Sequence, residues 1–108
     1  VTRSDRDRLL DIEVASDAIA SYVARVDVSD DIVFDAIRVR LIEIGEAVKD
    51  ISPELLASEP DVPWSEVSRM RDLLTHRYFD TAHSIVRATA SRDVPALAAA
   101  VGRIRARL

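Results

Sequence analysis

The sequence predicts an all-α protein, an antiparallel bundle of the four-helix type with one or two additional short helices. Three observations predict it. Apolar residues recur at spacings of three and four over most of the chain and nowhere alternate with period two. Glycine occurs only twice, and three of the four prolines, Pro53, Pro60 and Pro63, fall together instead of interrupting the periodic stretches. A chain of 108 residues with 48% hydrophobic and 31% charged side chains has the size and composition of one soluble globular domain spanning residues 1–108.

The first helix is expected over about 5–26, where Leu9, Ile12, Ile19, Val23 and Val26 form one stripe with Ser16 as its polar exception. Ser4 is its N-cap candidate, and Asp5 and Asp7 favour the positive end of the helix dipole. Val28-Ser29-Asp30-Asp31 then supplies capping residues, after which Phe34, Ile37, Leu41, Ile44, Val48 and Ile51 step by three and four. That stripe is core or dimer seam. The short connection demands an antiparallel hairpin, and Gly45 inside the second helix implies close approach of another backbone or a partner. Residues 52–63 read as an ordered connector with one turn around Glu54-Leu55-Leu56. A third long helix begins near 63, with Pro63 in its first turn, Trp64 anchoring its entry, and Val67, Met70 and Leu74 facing a core. Asp80 can cap a segment carrying Ala82, Ile85, Val86 and Ala90, and Asp93 with Pro95 can start a last helix bearing Leu97, Val101, Ile104 and Leu108.

Composition also excludes. With no cysteine there is no disulfide, thiol nucleophile or thiolate metal site, and two histidines make a closed metal site a poor reading, so no metal or cofactor is expected. No apolar run reaches the roughly 18 residues of a membrane span and the N-terminus lacks a signal-peptide core, which points to the cytoplasm. A net charge of −4 argues against a protein that coats nucleic acid. Its distribution is uneven, however: residues 1–54 hold seven basic and thirteen acidic side chains, whereas residues 67–108 hold eight arginines against Asp72, Asp80 and Asp93. Fourteen of the fifteen basic residues are Arg, which suits phosphate but also follows from a GC-rich genome.

Chemistry concentrates in Arg69-Met70-Arg71-Asp72-Leu73-Leu74-Thr75-His76-Arg77-Tyr78-Phe79-Asp80. An Arg five residues before a His arises by chance about 0.26 times in such a composition, and adding Tyr two residues later reduces this to about 0.005. Arg71-x4-His76-x-Tyr78 resembles the Arg-x4-6-His-x-Tyr signature of HEPN ribonucleases, specifically the HepT-like toxins of HEPN/nucleotidyltransferase toxin–antitoxin pairs. Leu10-Asp11-Ile12, Ile44-Gly45-Glu46-Ala47 and Pro63-Trp64 are similar to the family in order and spacing, so the resemblance covers nearly the whole chain. It departs at Asp72, where many relatives carry Asn; an added carboxylate opposes phosphate attraction or raises the histidine pKa.

The resemblance implies a HEPN-like bundle and a type VII toxin that cleaves cellular tRNA or mRNA without metal, with Arg71 and His76 as catalytic residues. It also implies a homodimer whose two motifs line one cleft. A cognate nucleotidyltransferase antitoxin, with which a higher hetero-oligomer is compatible, is expected to transfer AMP to Tyr78 or to mask the cleft. The residue types agree. The RNA 2′-OH is the nucleophile, a histidine of pKa about 6.5 can move its proton, and Arg71 can hold the phosphate by two parallel hydrogen bonds. Tyr78, with a phenol pKa of about 10, is a poor base and stacks or hydrogen-bonds at the cleft edge. Arg69 and Arg77 are candidates for RNA contact or for a solvated face. Geometry adds a constraint: at about 100° per residue His76 turns about 140° from Arg71, so the helix ends or distorts near Thr75, or two copies build the site.

Blander readings apply elsewhere. His83 is structural, Trp64 is core, and Glu46 either orients an arginine from the second helix or is an exposed or dimer-contact carboxylate. The alternative function is a noncatalytic helical dimer that partners a nucleotidyltransferase, and a third reading is a nucleotide-binding bundle.

Overall fold

The structure, a computed structural model, describes residues 3–25, 31–76 and 83–108. Helices α1 (Asp5–Arg25), α2 (Asp31–Asp50), α3 (Pro53–Ala57), α4 (Trp64–His76), α5 (His83–Ala88) and α6 (Val94–Ala106) make an all-α bundle with no strand among the described residues. Val26, the capping residues Val28, Ser29 and Asp30, the cap candidate Asp80, and Ala82 lie outside the described residues.

Ser4 caps α1 as its position suggests: its Oγ accepts from the Asp7 amide at 3.1 Å, and the Asp7 carboxylate accepts from the Ser4 amide at 3.3 Å. The apolar stripes of α1 and α2 meet. Leu9, Ile12 and Ile19 are fully buried against Ile37, Leu41 and Ile44, so the α2 stripe is core within one chain. The hairpin is antiparallel, since Arg8 near the start of α1 donates to the Asp50 carbonyl at 3.0 Å while Tyr22 near its end accepts from Arg40 at 3.4 Å. Ser16 is buried in the seam with its hydroxyl unpartnered, a cost of about 1–3 kcal/mol that the rest of the stripe offsets.

The connector is held at both ends. The Trp64 indole N–H donates to the carbonyls of Leu56 at 2.8 Å and Glu59 at 3.1 Å, fixing α3 and the loop to the start of α4. Glu59 in turn accepts from Arg103 at 2.8 Å and Arg107 at 3.0 Å, which ties the loop to the end of α6. Pro63 stands one residue ahead of α4, and its carbonyl accepts the first helical amides, from Glu66 at 3.0 Å and Val67 at 3.2 Å.

The last two helices differ from expectation. Asp93 does not cap α6: its backbone is helical (φ −80°, ψ −38°), its side chain makes no cap bond, and it pairs with Arg92 instead. Thr89–Asp93 forms a π turn that joins α5 to α6 as one helical run, with the Val94 amide donating to the Thr89 carbonyl five residues back. Pro95 is the physical reason, because it has no N–H to give and its ring crowds the carbonyl four residues before it. Beyond this turn α6 lies antiparallel on α1, with Arg105 on Glu13 at 2.8 Å and Arg6 on the Leu108 carbonyl at 3.2 Å.

Helix α4 leans on α2 at Gly45. A Cβ there would collide with the Arg71 Cβ and stand 3.1 Å from the Val67 carbonyl oxygen, so only glycine permits this approach. Gly102 is different, since its nearest neighbour is a Glu13 carboxylate oxygen at 3.6 Å, ordinary contact. The two Gly→Ala substitutions therefore have opposite signs. Gly45→Ala should cost about 2 kcal/mol through overpacking, and Gly102→Ala should gain up to about 1 kcal/mol from helix propensity, as read from urea unfolding.

Hydrogen bonds from Arg103 and Arg107 hold the Glu59 carboxyl below the usual carboxylate range. A group so lowered adds stability that is complete above its unfolded value of about 4.3 and fades as the pH falls through the lower folded value. The gap in urea midpoint between the natural chain and Glu59→Gln should thus be widest at neutral pH and close on acidification.

Candidate active site

Arg71 is positioned from both of its ends. Gly45 lets the stem of the side chain start against the α2 backbone, and Glu46, the next residue, catches its head: Nε donates to Glu46 Oε2 at 2.5 Å. Its Nη1 donates to Asp72 Oδ1 at 3.0 Å. The same Asp72 oxygen lies 3.6 Å from the Lys49 ammonium, one turn beyond Glu46 on α2. Two cations and two carboxylates thus form one line, Lys49, Asp72, Arg71, Glu46, with Arg71 the least exposed of them at 23%. Of the readings open for Glu46, it is an exposed carboxylate and it also holds the arginine from the second helix.

Electrostatics follow from these contacts. The hydrogen bond to Asp72, then that to Glu46, raises the Arg71 pKa, so its charge is fixed. The Arg71 hydrogen bond, followed by the Lys49 and Arg71 charges, pulls the Asp72 carboxyl down, and Asp72 is an anion at neutral pH. The departure at Asp72 therefore places a permanent negative charge on the motif arginine.

His76 is the last residue of α4 and is exposed. Of the two ways to unite the motif, a helix that ends or distorts near Thr75 is met in that α4 ends at His76, but the helix runs unbroken from Arg71 to that residue. Thr75 Oγ1 also returns a hydrogen bond to the Arg71 carbonyl at 2.8 Å. A regular helix carries His76 about 140° around and about 7.5 Å along from Arg71, so one chain does not bring the two side chains together. Leu74, between them, is buried in the core, while Leu73 is 53% exposed and shares a face with His76 three residues on.

The other candidates disperse. Arg69 is exposed and pairs with Glu66 at 2.7 Å on the preceding turn, rotated away from Arg71. Arg77 and Tyr78 lie outside the described residues. Among the described residues much of the arginine-rich C-terminal stretch is paired: Arg103 and Arg107 bind Glu59, Arg105 binds Glu13, and Arg92 binds Asp93. Sequence reasoning counted these charges but could not see that loop and α1 carboxylates neutralise them. It also passed over Lys49 and Arg38. The spacing of Lys49 from Glu46 on one helix face was the available signal. Arg38 donates to the Leu74 carbonyl at 3.4 Å, placing a cation at the last turn of α4.

Among the described residues no three or more His, Asp or Glu side chains are grouped to hold a metal, and no helix is long and apolar enough to cross a membrane. The arrangement offers a fixed guanidinium in one place and an accessible imidazole at a helix end in another.

Comparison with known proteins converges on one family. The family model described as "Ribonuclease HepT-like" matches residues 12–104. A Thermococcus cleftensis protein named "Probable ribonuclease HepT" is 33% identical over 108 residues, covering 95% of this chain and 97% of its own length. A Methanocaldococcus jannaschii protein, provisionally named an RNase, is 35% identical over 91 residues, 81% of this chain and 78% of its own. A Caldanaerobacter subterraneus protein, also provisionally named an RNase, is 42% identical over 60 residues, 55% of this chain and 54% of its own. No solved structure matches. With a family model running from the first core isoleucine of α1 to the last of α6, and a relative matched nearly end to end, the chain belongs to the HepT-like ribonuclease family.

Proposed function

We propose that this chain, as one HEPN domain over residues 1–108, is the toxin of a type VII toxin–antitoxin pair, a metal-independent endoribonuclease acting on cellular tRNA or mRNA in the cytoplasm. The observation that carries the reading is the placement of Arg71: glycine and glutamate of α2 are both spent on fixing one guanidinium five residues before an exposed histidine. The RNA 2′-oxygen attacks the adjacent phosphorus, the P–O5′ bond breaks, and a 2′,3′-cyclic phosphate and a 5′-hydroxyl result. His76 takes the 2′-OH proton, a second His76 in protonated form gives one to the leaving oxygen, and Arg71 stabilises the charge on the phosphoryl oxygens.

Two histidines come from two copies. The turn between Arg71 and His76 on an unbroken helix supports a homodimer, and the exposed Leu73 beside His76 is the apolar surface that a second copy covers. Arg69 and Arg77 are secondary candidates for the RNA backbone. Neutralisation is assigned to a cognate nucleotidyltransferase antitoxin, which binds over the cleft or modifies Tyr78. In the modification the phenol oxygen attacks the α-phosphorus of ATP, pyrophosphate leaves and the phenol proton goes to solvent; the added bulk and charge then exclude RNA.

The pairing of Arg71 with two carboxylates favours a second reading, a noncatalytic helical dimer that assembles with the nucleotidyltransferase. Incubating the chain with total tRNA and mRNA in EDTA separates the two. Cleavage is expected, with Arg71→Ala and His76→Ala each at least about a hundredfold slower; RNA left equally intact by all three proteins selects the noncatalytic dimer. With ATP and the neighbouring nucleotidyltransferase, the intact mass should rise by whole AMP units, and Tyr78→Phe should stay unmodified. An unmodified natural chain leaves masking by complex formation as the route to neutralisation.

A further inference from the structure

The acidic partners of Arg71 pose a chemical problem. A guanidinium grips phosphate with two neighbouring N–H groups, either from Nε and one Nη or from its two Nη. Glu46 occupies Nε and Asp72 occupies Nη1, so a carboxylate stands beside each gripping edge. An arriving phosphate meets like charge on either side.

The two carboxylates are not equivalent. Among the described residues Glu46 pairs with Arg71 alone, at 2.5 Å. Asp72 has a second cation within reach: the oxygen that accepts from Arg71 at 3.0 Å lies 3.6 Å from the Lys49 Nζ, just beyond direct hydrogen-bond length. Asp72 and Lys49 are about half exposed, at 48% and 44%, so a small rotation of either meets little packing resistance, and pairs this exposed are weak. Lys49 also stands on α2 one turn from Glu46, hence at a fixed distance from the residue that holds Nε.

We propose that Lys49 is a positioning residue for the phosphate-binding arginine: it draws Asp72 off Arg71 when an RNA phosphate arrives and returns it when the phosphate leaves. This deepens the reading of Arg71 as the phosphate ligand and rests on it. Glu46 keeps the guanidinium aimed through Nε, while the Nη edge changes partner from Asp72 to phosphate. No bond beyond hydrogen bonds is made or broken. Lys49 thereby favours RNA binding without touching RNA, and Asp72 keeps the empty site close to neutral.

The experiment measures binding of a fluorescein-labelled, mixed-sequence 2′-O-methyl RNA pool, which has no free 2′-OH and is not cleaved. It uses the full chain, Lys49→Gln, Lys49→Arg, Asp72→Asn, the Lys49→Gln/Asp72→Asn pair, and Arg71→Ala. Lys49→Gln should weaken binding about fivefold, Lys49→Arg should restore it, and Asp72→Asn should tighten it about fivefold. In the Asp72→Asn background, Lys49→Gln should change binding by less than about twofold, because the carboxylate it acts on has lost its charge. An equal loss in both backgrounds identifies Lys49 as a direct RNA contact and overturns the proposal. So does a Lys49→Gln chain that binds like the natural one. Arg71→Ala is the separate control: if it binds the pool as tightly as the natural chain, the reading of Arg71 itself fails, and the Lys49 proposal with it.

Discussion

The close approach of α4 to α2 at Gly45 is the constraint on which the rest of the site depends. A missing Cβ lets the stem of Arg71 lie where a side chain would otherwise stand, and the Val67 carbonyl oxygen is 3.1 Å from where that Cβ would be. With the two helices that near, Glu46 pairs with Arg71, and Asp72, the next residue on α4, and Lys49, one turn from Glu46 on α2, complete the line. The free energy glycine loses in a helix interior is offset by this packing, which brings two long helices together over buried Leu41, Ile44 and Leu74. Scaffold and chemistry share one contact.

The helices were legible because burial imposes period. Leu9, Ile12 and Ile19, and the stripe from Phe34 to Ile51, declare their inner faces by spacing alone, and the glycine in α2 was legible because nothing but close approach explains it there. The Ser16 exception stayed on its stripe, buried and unpartnered, since one hydroxyl does not outweigh the apolar residues on either side.

The misreadings have physical causes too. Asp93 before Pro95 carries the local signature of a helix start, and a helix that continues through such a pair must widen by a residue, a tertiary outcome that local pattern does not encode. The motif Arg71-x4-His76 was visible at once, but its consequence depended on whether α4 stays regular through Thr75, which a string of letters does not state. Nor could a charge count reveal pairing between residues such as Glu59 and Arg103 that lie far apart in the chain. The segment totals of opposite sign suggested a locally basic C-terminal part, whereas the fold pairs Arg105 with Glu13 of the acidic segment and Arg103 and Arg107 with Glu59 of the connector, which neither total included.

That pairing has a consequence for how such a molecule meets a polyanion. Tight attraction to nucleic acid in dilute buffer comes from counterions set free as cations are laid along phosphates, and its strength collapses as salt is added. Here Arg92, Arg103, Arg105 and Arg107 already have carboxylate partners on their own chain, and Arg71 has two. On the proposed function, these pairs leave fewer open cations among the described residues than a count of fourteen arginines suggests, so the salt slope of RNA binding is shallower than that count implies. On that reading recognition leans on Arg71 and His76 more than on open arginines, and binding keeps more of its strength as salt is added.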